Sequence, residues 1–415
     1  MSKLKIEGGN VLTGSIKISG AKNSAVALIP AAILSKTRST IFNVPKISDI
    51  EYLIKITELL NCPVSIKEDI ITIDTTNIKY NAIPEELSQM MRASYYYMGA
   101  MLARFKKAEI SFPGGCKIGN RPIDLHLKGF EKLGVKITQI KNKYILEAEE
   151  LIGTKIYLDF ASVGATINLM LAAVGAKGTT IIENAAKEPE IVNIASFLIN
   201  MGAQINGAGT STIIIEGTSD LDNGIVEVFP DRIEASTYLI LGALIGKNLT
   251  IEGAIKEHIN SVLDKLVEVG GRYNISNNKI TISKISNIKP VNIKTQVYPG
   301  FPTDVQQPFT TLLTQANGNS KIIETIYESR FKHTEYLNLM GANTEYDGNI
   351  LYVKGPTKLK GNNVYATDLR GGASLVIAAL IAEGTTIIDN TEHILRGYED
   401  IIIKLQKVGA KIEEI

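Results

Sequence analysis

The chain has 415 residues, of which 45% are hydrophobic and 21% are charged, and its formal charge is +1. This length exceeds one ordinary core, so two or three domains are expected. The near-zero charge excludes a general electrostatic attraction for nucleic acid or anionic membranes, and an anionic ligand must therefore meet locally placed cations. The two cysteines, Cys62 and Cys116, form no disulfide framework and are typical of a reducing cytoplasm.

The N-terminal segment has no apolar signal core, and no run of about 18 uninterrupted apolar residues predicts a membrane span. We therefore expect a cytoplasmic protein with no membrane partner and no nucleic-acid partner.

A unit of about 70 residues recurs six times. Each unit has a small apolar helix, a β-branched strand, an amphipathic helix and further short strands. Five of the amphipathic helices end in an apolar–glycine pair, at intervals of 68, 68, 71 and 68 residues: Leu133-Gly134, Met201-Gly202, Val269-Gly270, Met340-Gly341 and Val408-Gly409. The first unit ends in Leu60-Asn61. Glycine and asparagine both tolerate the left-handed conformation of a helix C-cap, so all six pairs predict helix ends.

The strand between the two helices of a unit is rich in β-branched residues, as in 39–42, 179–184 and 385–390. A segment with a Leu-x-Gly or similar motif precedes each unit and is here called its leader. The pattern of the leader predicts one strand before this motif and one after it. Leu12-Thr13-Gly14 marks the first leader, for which there is no preceding unit, and the sixth unit ends the chain without a following leader.

The simplest arrangement adds residues 1–20 to the sheet of the sixth unit, which otherwise lacks the strands of a following leader. It predicts two domains of three repeats each, an N-terminal domain of residues 21–229 and a discontinuous C-terminal domain of residues 1–20 plus 230–415. Two chain crossings between them imply a hinged molecule that can close.

Superposition of the units places six residues at the start of the first helix: Lys22, Arg92, Ser162, Arg232, Asp304 and Arg370. A cation is disfavoured at a helix N-terminus because the helix dipole is positive there. One interpretation is that these side chains turn to solvent or pair with acids such as Glu234 or Asp368. The recurrence favours another, in which the helix starts meet in a cleft and bind a multiply anionic ligand.

A glycine- and proline-rich loop, 112–122, interrupts the second unit and carries Cys116 between Gly115 and Lys117. Such a composition predicts an ordered but mobile loop. Nearby cations lower the pKa of a thiol and favour the reactive thiolate, although an inert buried thiol is the alternative. Cys62, in an apolar segment, is predicted to be buried and inert.

The loop motif 113–116 with 119–122 is similar to the catalytic loop of UDP-N-acetylglucosamine enolpyruvyl transferases, of the EPSP synthase superfamily. Further similar segments follow in family order along nearly the whole chain: 19–25, 91–94, 162–166, 183–186, 188–192, 301–304, 328–331, 368–370 and 396–399. The resemblance implies a two-domain inside-out α/β barrel built from six βαβαββ-type repeats, three per domain.

The reaction that this resemblance implies transfers the enolpyruvyl group of phosphoenolpyruvate to the 3′-hydroxyl of UDP-N-acetylglucosamine and releases phosphate. It proceeds by addition and elimination through a tetrahedral intermediate, as the first committed step of peptidoglycan synthesis. The implied partners are these two small molecules, with no cofactor and no metal. Cys116 is the implied target of fosfomycin and a residue that can carry a pyruvate adduct.

The resemblance also assigns roles to individual residues. The implied catalytic residues are Cys116, Asp304, Lys22 and Arg396, with Asp304 as the base for the sugar hydroxyl and Cys116 as the proton donor. The implied contacts to phosphoenolpyruvate are Lys22, Asn23, Arg121, Arg370 and Arg396. The implied contacts to the nucleotide sugar are Asn23, Arg92, Arg121, Pro122, Ile123, Asp124, Leu125, Ser162, Val163, Gly164, Asp304 and Ile326.

The assignment of Asp304 competes with a simpler one, in which this residue is a plain N-cap. His126 is predicted to be a core or capping histidine. Phe160-Ala161 stand before Ser162, where some relatives carry a basic residue that helps to hold the diphosphate.

Two other functions remain open. One is another enolpyruvyl transferase, such as EPSP synthase, which shares the fold and the cationic cleft but uses no cysteine on this loop. The second is a non-catalytic repeat scaffold that binds phosphorylated ligands.

Overall fold

The computed structural model describes residues 2–112 and 123–415. Its strands are β1 Leu4–Glu7, β2 Ser15–Lys17, β3 Arg38–Phe42, β4 Val64–Lys67, β5 Ile70–Asp74, β6 Lys107–Ser111, β7 Lys136–Ile140, β8 Lys143–Glu147, β9 Lys155–Tyr157, β10 Thr179–Glu183, β11 Gln204–Asn206, β12 Thr212–Glu216, β13 Gly224–Glu227, β14 Leu249–Glu252, β15 Tyr273–Ser276, β16 Lys279–Ile282, β17 Asn292–Lys294, β18 Gly318–Ile323, β19 Asn343–Asp347, β20 Ile350–Gly355, β21 Asn363–Tyr365, β22 Thr385–Asp389 and β23 Lys411–Glu414.

Its α-helices are α1 Lys22–Ala32, α2 Ser48–Leu59, α3 Glu85–Met90, α4 Tyr96–Phe105, α5 Asp124–Lys132, α6 Val163–Ala173, α7 Pro189–Asn200, α8 Arg232–Ile245, α9 Asn260–Glu268, α10 Gln306–Leu313, α11 His333–Leu339, α12 Leu369–Ile381, α13 Glu392–Leu395 and α14 Ile401–Lys407. Short 3₁₀ helices cover Arg92–Tyr95, Lys256–His258 and Thr303–Val305.

The described chain forms two compact units, each with its own apolar core. Residues 20–112 and 123–229 form the first, here called the N unit, and residues 2–19 and 230–415 form the second, here called the C unit. The assignment of residues 21–229 and of residues 1–20 plus 230–415 to two domains stays a prediction.

The N unit surrounds buried helices with three sheets, whose strand orders are β13-β3-β5-β4, β6-β8-β7 and β11-β12-β10-β9. Helix α4 packs against both α1 and α6, and α7 contacts α1 and α6 from the other side. Helix α6 is apolar around most of its circumference, which is typical of a helix enclosed by protein. The strands alternate between buried and exposed residues, so each sheet buries one face against the helices.

The C unit repeats this arrangement with sheets β15-β16-β14-β2, β17-β18-β20-β19 and β21-β22-β1-β23, and its inner helices α8, α10 and α12 contact one another. Strand β1 lies between β22 and β23 and completes the last sheet, as the sequence predicted. Strand β2 does not belong to that sheet, because it pairs in parallel with β14 of the fourth repeat. The fold is therefore an inside-out α/β fold of six repeats, three in each unit.

The six predicted helix ends are confirmed. Each apolar residue of the six pairs is the C-cap of its helix, and the next residue has a positive φ: 61° at Asn61, 92° at Gly134, 112° at Gly202, 103° at Gly270, 100° at Gly341 and 101° at Gly409. Most side chains with a Cβ are strained in this left-handed region, which explains the glycines, and asparagine tolerates it because its short polar side chain can form local hydrogen bonds.

Candidate active site

The helix starts are the first candidate feature, and all six lie where the repeat spacing predicted them. Each is the first or second residue of a helix, the cap before it, or part of a 3₁₀ turn that leads into it: Lys22, Arg92, Ser162, Arg232, Asp304 and Arg370.

In the C unit, Asp304 is paired with two arginines. Its Oδ1 accepts a hydrogen bond from Nη2 of Arg330 at 2.7 Å, and its Oδ2 accepts one from Nε of Arg370 at 3.3 Å. Both arginine side chains are 3% exposed, whereas the side chain of Asp304 is 26% exposed. The carboxylate is therefore the accessible member of the cluster, and the two cations lie beneath it.

The surroundings of Asp304 hold it in the ionised form. Burial alone would raise the pKa of its carboxyl group, but the charges of Arg330 and Arg370 outweigh burial and hold the pKa well below its usual range. A partly accessible carboxylate that stays charged can accept a proton or a hydrogen bond from a hydroxyl group of a ligand.

The interpretation of Asp304 as a plain N-cap is wrong. The residue before the 3₁₀ turn is Pro302, and no side chain caps that turn. The partner that sequence reasoning missed is Arg330, which stands in a motif that resembles the family but was given no role.

Arg370 is held in place from two sides. Asp368 caps α12, since its Oδ1 accepts hydrogen bonds from the backbone N–H groups of Arg370 and Gly371 at 3.0 and 3.1 Å. The guanidinium group lies over the ring of Tyr398, with 5.3 Å between its Cζ and the ring centroid. Its Nη1 is buried and makes no hydrogen bond to any described residue. A buried donor without a partner is unusual, and a ligand that reached Nη1 would supply the missing acceptor.

In the N unit, Lys22 forms a shielded ion pair with Asp49. The distance from Nζ to Oδ2 is 2.7 Å, and both side chains are largely buried. Lys22 therefore pairs with an acid, as one of the two interpretations of the helix-start cations expected, although the acid is Asp49; the anion-binding interpretation stays a prediction. Glu234 instead pairs with Lys404 at 2.6 Å. Asn23 follows Lys22 in the first turn of α1 and is partly exposed.

Ser162 caps α6, and its Oγ accepts a hydrogen bond from the backbone N–H of Ala165 at 3.3 Å. The neighbouring Gly164 has no room for a side chain, because an added Cβ would stand 2.6 Å from the hydroxyl oxygen of Tyr95. Phe160, which lies two residues before the cap, is 45% exposed.

His126 is a buried histidine of α5, as predicted. The Oδ1 of Asn168 accepts a hydrogen bond from the backbone N–H of Gly99 at 2.7 Å, which fixes its amide as a donor to Nδ1 of His126 at 3.0 Å. Burial, with the charge of Arg92 as a smaller cause, lowers the pKa of His126 to about 3. The ring is therefore neutral and carries its proton on Nε2.

The remaining predicted residues are distributed as follows. Cys116, Arg121 and Pro122 lie outside the described residues. Ile123 is buried just before α5, Asp124 and Leu125 begin that helix, Val163 begins α6, and Arg396 is the C-cap of α13. Ile326 is in the C unit, and its backbone N–H donates to Oε1 of Glu324 at 2.8 Å. Cys62 is buried, and burial raises its pKa to about 12, in agreement with the predicted inert thiol.

Within residues 2–112 and 123–415 we find no cluster of three His, Cys, Asp or Glu side chains arranged to hold a metal ion. Among the helices of the same residues, none is both long enough and apolar enough to span a membrane.

Comparison with known proteins defines the class. Residues 6–405 match the model of the family described as EPSP synthase (3-phosphoshikimate 1-carboxyvinyltransferase). The chain is also similar over its whole length to the enolpyruvyl transferase NikO of Streptomyces tendae, with a TM-score of 0.92, 27% identity and coverage of 100% of this chain and 98% of that one. EPSP synthase of Acinetobacter baumannii, at 17% identity and a TM-score of 0.76 with 100% of both chains covered, supports the fold alone. The class is thus that of the enolpyruvyl transferases, which are enzymes.

Curated relatives are more similar still. UDP-N-acetylglucosamine 1-carboxyvinyltransferase 2 of Bacillus anthracis is 52% identical over 413 residues, which cover 99% of this chain and 96% of the relative. The protein of the same name from Listeria monocytogenes is 52% identical over 410 residues, which cover 99% and 97%. The chain belongs to the EPSP synthase family, and within it to the group of the UDP-N-acetylglucosamine 1-carboxyvinyltransferases.

Proposed function

We propose that the chain transfers the enolpyruvyl group of phosphoenolpyruvate to the 3′-hydroxyl of UDP-N-acetylglucosamine and releases phosphate, the first committed step of peptidoglycan synthesis. The names of its 52% identical relatives support these substrates. The structural observation that carries the proposal is Asp304, an accessible carboxylate held in its charged form over two buried arginines.

The reaction needs a base and an acid. Asp304 accepts the proton of the sugar 3′-hydroxyl while the oxygen of that hydroxyl attacks C2 of phosphoenolpyruvate. An acid, which we assign to Cys116, protonates the methylene carbon. The resulting tetrahedral adduct then loses a proton from its new methyl group and expels phosphate, which restores the carbon–carbon double bond. Atoms and charge balance without a cofactor, since no atom is oxidised or reduced overall.

Arg370 supplies the site for the carboxylate of phosphoenolpyruvate. Its Nη1 has no described partner, and a guanidinium group binds a carboxylate through charge-assisted hydrogen bonds. Because Arg370 lies next to Asp304, this assignment would bring the two reacting molecules side by side and convert a collision into an oriented encounter.

Substrate binding also adjusts the base. A carboxylate with a strongly depressed pKa is a weak proton acceptor. An anionic substrate on Arg370 neutralises part of the field that depresses the pKa of Asp304, and therefore raises that pKa. Asp304 thus becomes a better base when phosphoenolpyruvate is bound.

The other assigned residues complete the proposal by analogy with the family. Lys22, Arg121 and Arg396 bind the phosphate of phosphoenolpyruvate, with Asn23 near the reacting centre. The nucleotide sugar is contacted by Asn23, Arg92, Arg121, Pro122, Ile123, Asp124, Leu125, Ser162, Val163, Gly164, Asp304 and Ile326.

The first prediction is phosphate release that depends on both substrates. Purified protein with phosphoenolpyruvate and UDP-N-acetylglucosamine should release one phosphate for each nucleotide sugar consumed, with the product identified by mass spectrometry. Two controls use the same protein: one omits the acceptor, and one replaces it with shikimate 3-phosphate, the acceptor of EPSP synthase. Phosphate release only with shikimate 3-phosphate would favour that alternative, and no release with either acceptor would favour a scaffold that only binds.

A further inference from the structure

One position is equivalent in five of the six repeats. In each, the last residue of the strand after the inner helix accepts a backbone hydrogen bond of 2.9 to 3.0 Å from the residue that directly follows the leader strand. The acceptors are Phe42, Glu183, Glu252, Ile323 and Asp389, and the donors are Val228, Leu158, Ile18, Thr295 and Ala366 in the same order. The next residue along each strand is therefore equivalent: Asn43, Asn184, Gly253, Glu324 and Asn390.

Four of these five residues share a left-handed backbone, which Glu324 does not have. Asn43, Asn184, Gly253 and Asn390 have a positive φ, of 56°, 53°, 86° and 56°. The side-chain amides of Asn43 and Asn184 donate to the backbone carbonyls of Val228 and Leu158 at 2.9 and 2.8 Å, which ties the strand end to the leader. In these four repeats the position takes a small residue that tolerates the left-handed region.

Glu324 departs from this pattern. Its side chain is buried, and its Oε1 accepts hydrogen bonds from Oγ1 of Thr295 and from the backbone N–H of Ile326, each at 2.8 Å. Its Oε2 accepts one from Oγ1 of Thr303, also at 2.8 Å. These described donors are all neutral, and their hydrogen bonds offset part of the cost of burying the carboxyl group.

We propose that Glu324 is a positioning residue for the enolpyruvyl transfer. Its Oε2 holds Thr303, which precedes Asp304 in the 3₁₀ turn, and its Oε1 holds the segment that carries Ile326. One carboxylate thus sets the place of the base and of a nucleotide-sugar contact. This inference rests on the proposed function, because it needs Asp304 to act as the base.

Four other repeats fold with asparagine or glycine at this position, so we attribute the glutamate to the chemistry. Asparagine has one acceptor oxygen and a shorter side chain, so it can keep a tie to the leader but cannot also reach Thr303 and Ile326. The three repeats with asparagine have no base at their helix start, so no residue is needed there to position one.

The experiment replaces Glu324 with the residue of the sister repeats. Glu324→Asn should fold with a melting temperature near that of the wild type and lose kcat by about 10- to 100-fold, the size expected when a catalytic group is displaced by about 1 Å. The KM for the nucleotide sugar should rise, because the Ile326 segment loosens, and the KM for phosphoenolpyruvate should stay nearly unchanged. Glu345→Asn, the same change at an exposed position of β19, is the control and should keep the wild-type kinetics.

A second pair of variants separates the two ends of the carboxylate. Thr303→Val removes only the hydroxyl that faces Glu324, so kcat should fall while the KM for the nucleotide sugar does not change. Thr303→Ser keeps the hydroxyl and should recover most of the kcat that the valine variant loses. A general loss of stability would not produce this rescue or this separation of kcat from KM.

The possible outcomes distinguish a failure of the positioning role from a failure of the proposed function. Wild-type kcat in Glu324→Asn, with the wild type active on UDP-N-acetylglucosamine, would overturn this inference and leave the proposed function intact. An inactive wild type would overturn both. If Glu324→Asn does not fold, the threonine pair decides, since equal kcat in Thr303→Val and Thr303→Ser contradicts the positioning role.

Discussion

The helix starts of the C unit use aspartate in two different ways. Before α8 and α12, Asp231 and Asp368 are N-caps, and each carboxylate accepts hydrogen bonds from two backbone N–H groups of the first helical turn. Before α10, Asp304 lies within the turn, caps nothing, and binds Arg330 and Arg370 instead. The same residue type at nearly the same place in the repeat is structural in two repeats and available for chemistry in the third.

The difference teaches how a repeat protein can supply a reactive group. Capping occupies the carboxylate oxygens and stabilises the helix. In the middle repeat Glu324 holds the turn through the hydroxyl group of Thr303, and no side chain caps the turn or α10. The carboxylate of Asp304 makes no capping hydrogen bond and is left accessible for chemistry.

The largest expected effect comes from Asp304→Asn. The amide keeps the shape and one acceptor oxygen but cannot take the hydroxyl proton, so kcat should fall by roughly 10³-fold, within the range for loss of a general base. Steady-state phosphate release measures this effect, and circular dichroism checks that the variant is folded.

The capping aspartates provide the matched control for this prediction. Asp231→Asn makes the same chemical change but keeps the capping oxygen. The charge of Asp231 also acts on Arg370, so kcat should fall slightly, but far less than in Asp304→Asn. If Asp304→Asn keeps wild-type kcat, or if Asp231→Asn loses as much, the division of tasks between these helix starts is wrong.

The next effect, in size, concerns pH and the cap of α12. His333 is fully buried beside that cap, and burial lowers its pKa to about 4 although the nearby Asp368 opposes this shift. In the unfolded chain the pKa of histidine is about 6.5. Between these two values the unfolded state binds a proton that the native state does not bind, so stability falls as the pH decreases from about 7 toward 4.

The variant His333→Leu removes this titration. We expect the free energy of unfolding of the wild type to fall, relative to that of His333→Leu, by on the order of 2 kcal/mol between pH 8 and pH 5. Urea unfolding at several pH values measures the difference, and pH 8, where the histidine is neutral in both states, is the internal reference. Parallel curves from pH 8 to pH 5 would show that His333 is not held neutral.

The elements that the sequence predicts well are those with a local physical cause. Helix ends at Gly134, Gly202 and their equivalents follow from the left-handed backbone that glycine tolerates, and the helix starts follow from the repeat spacing. Strand β2 was misplaced because three residues, Ser15–Lys17, contain too little pattern to choose among similar sheets, and the pairing with β14 is a tertiary contact.

The candidate site shows the same limit. The resemblance indicated Asp304 and Arg370, but the pairing of Asp304 with Arg330 joins segments 26 residues apart and depends on the packed fold. The role of Glu324 left a weak signal, since aligned repeats have asparagine or glycine where it stands. The sequence alone does not show that the two carboxylate oxygens of Glu324 reach Thr303 and Ile326, because that depends on side-chain geometry.

The smallest expected effect belongs to the caps. Asp231→Ala removes the acceptor for the N–H groups of Ile233 and Glu234 and should lower the free energy of unfolding by about 1 kcal/mol, whereas Asp231→Asn should change it by only a few tenths. Asp304 caps nothing, so Asp304→Ala and Asp304→Asn should not differ through capping, and their difference should reflect only contact with the arginines. Urea unfolding of the four variants at neutral pH measures the difference in free energy of unfolding between alanine and asparagine at each position. A cap-sized penalty at Asp231 with little loss of activity, beside a large loss of activity at Asp304, would show that one residue type serves the helix in one repeat and the reaction in another.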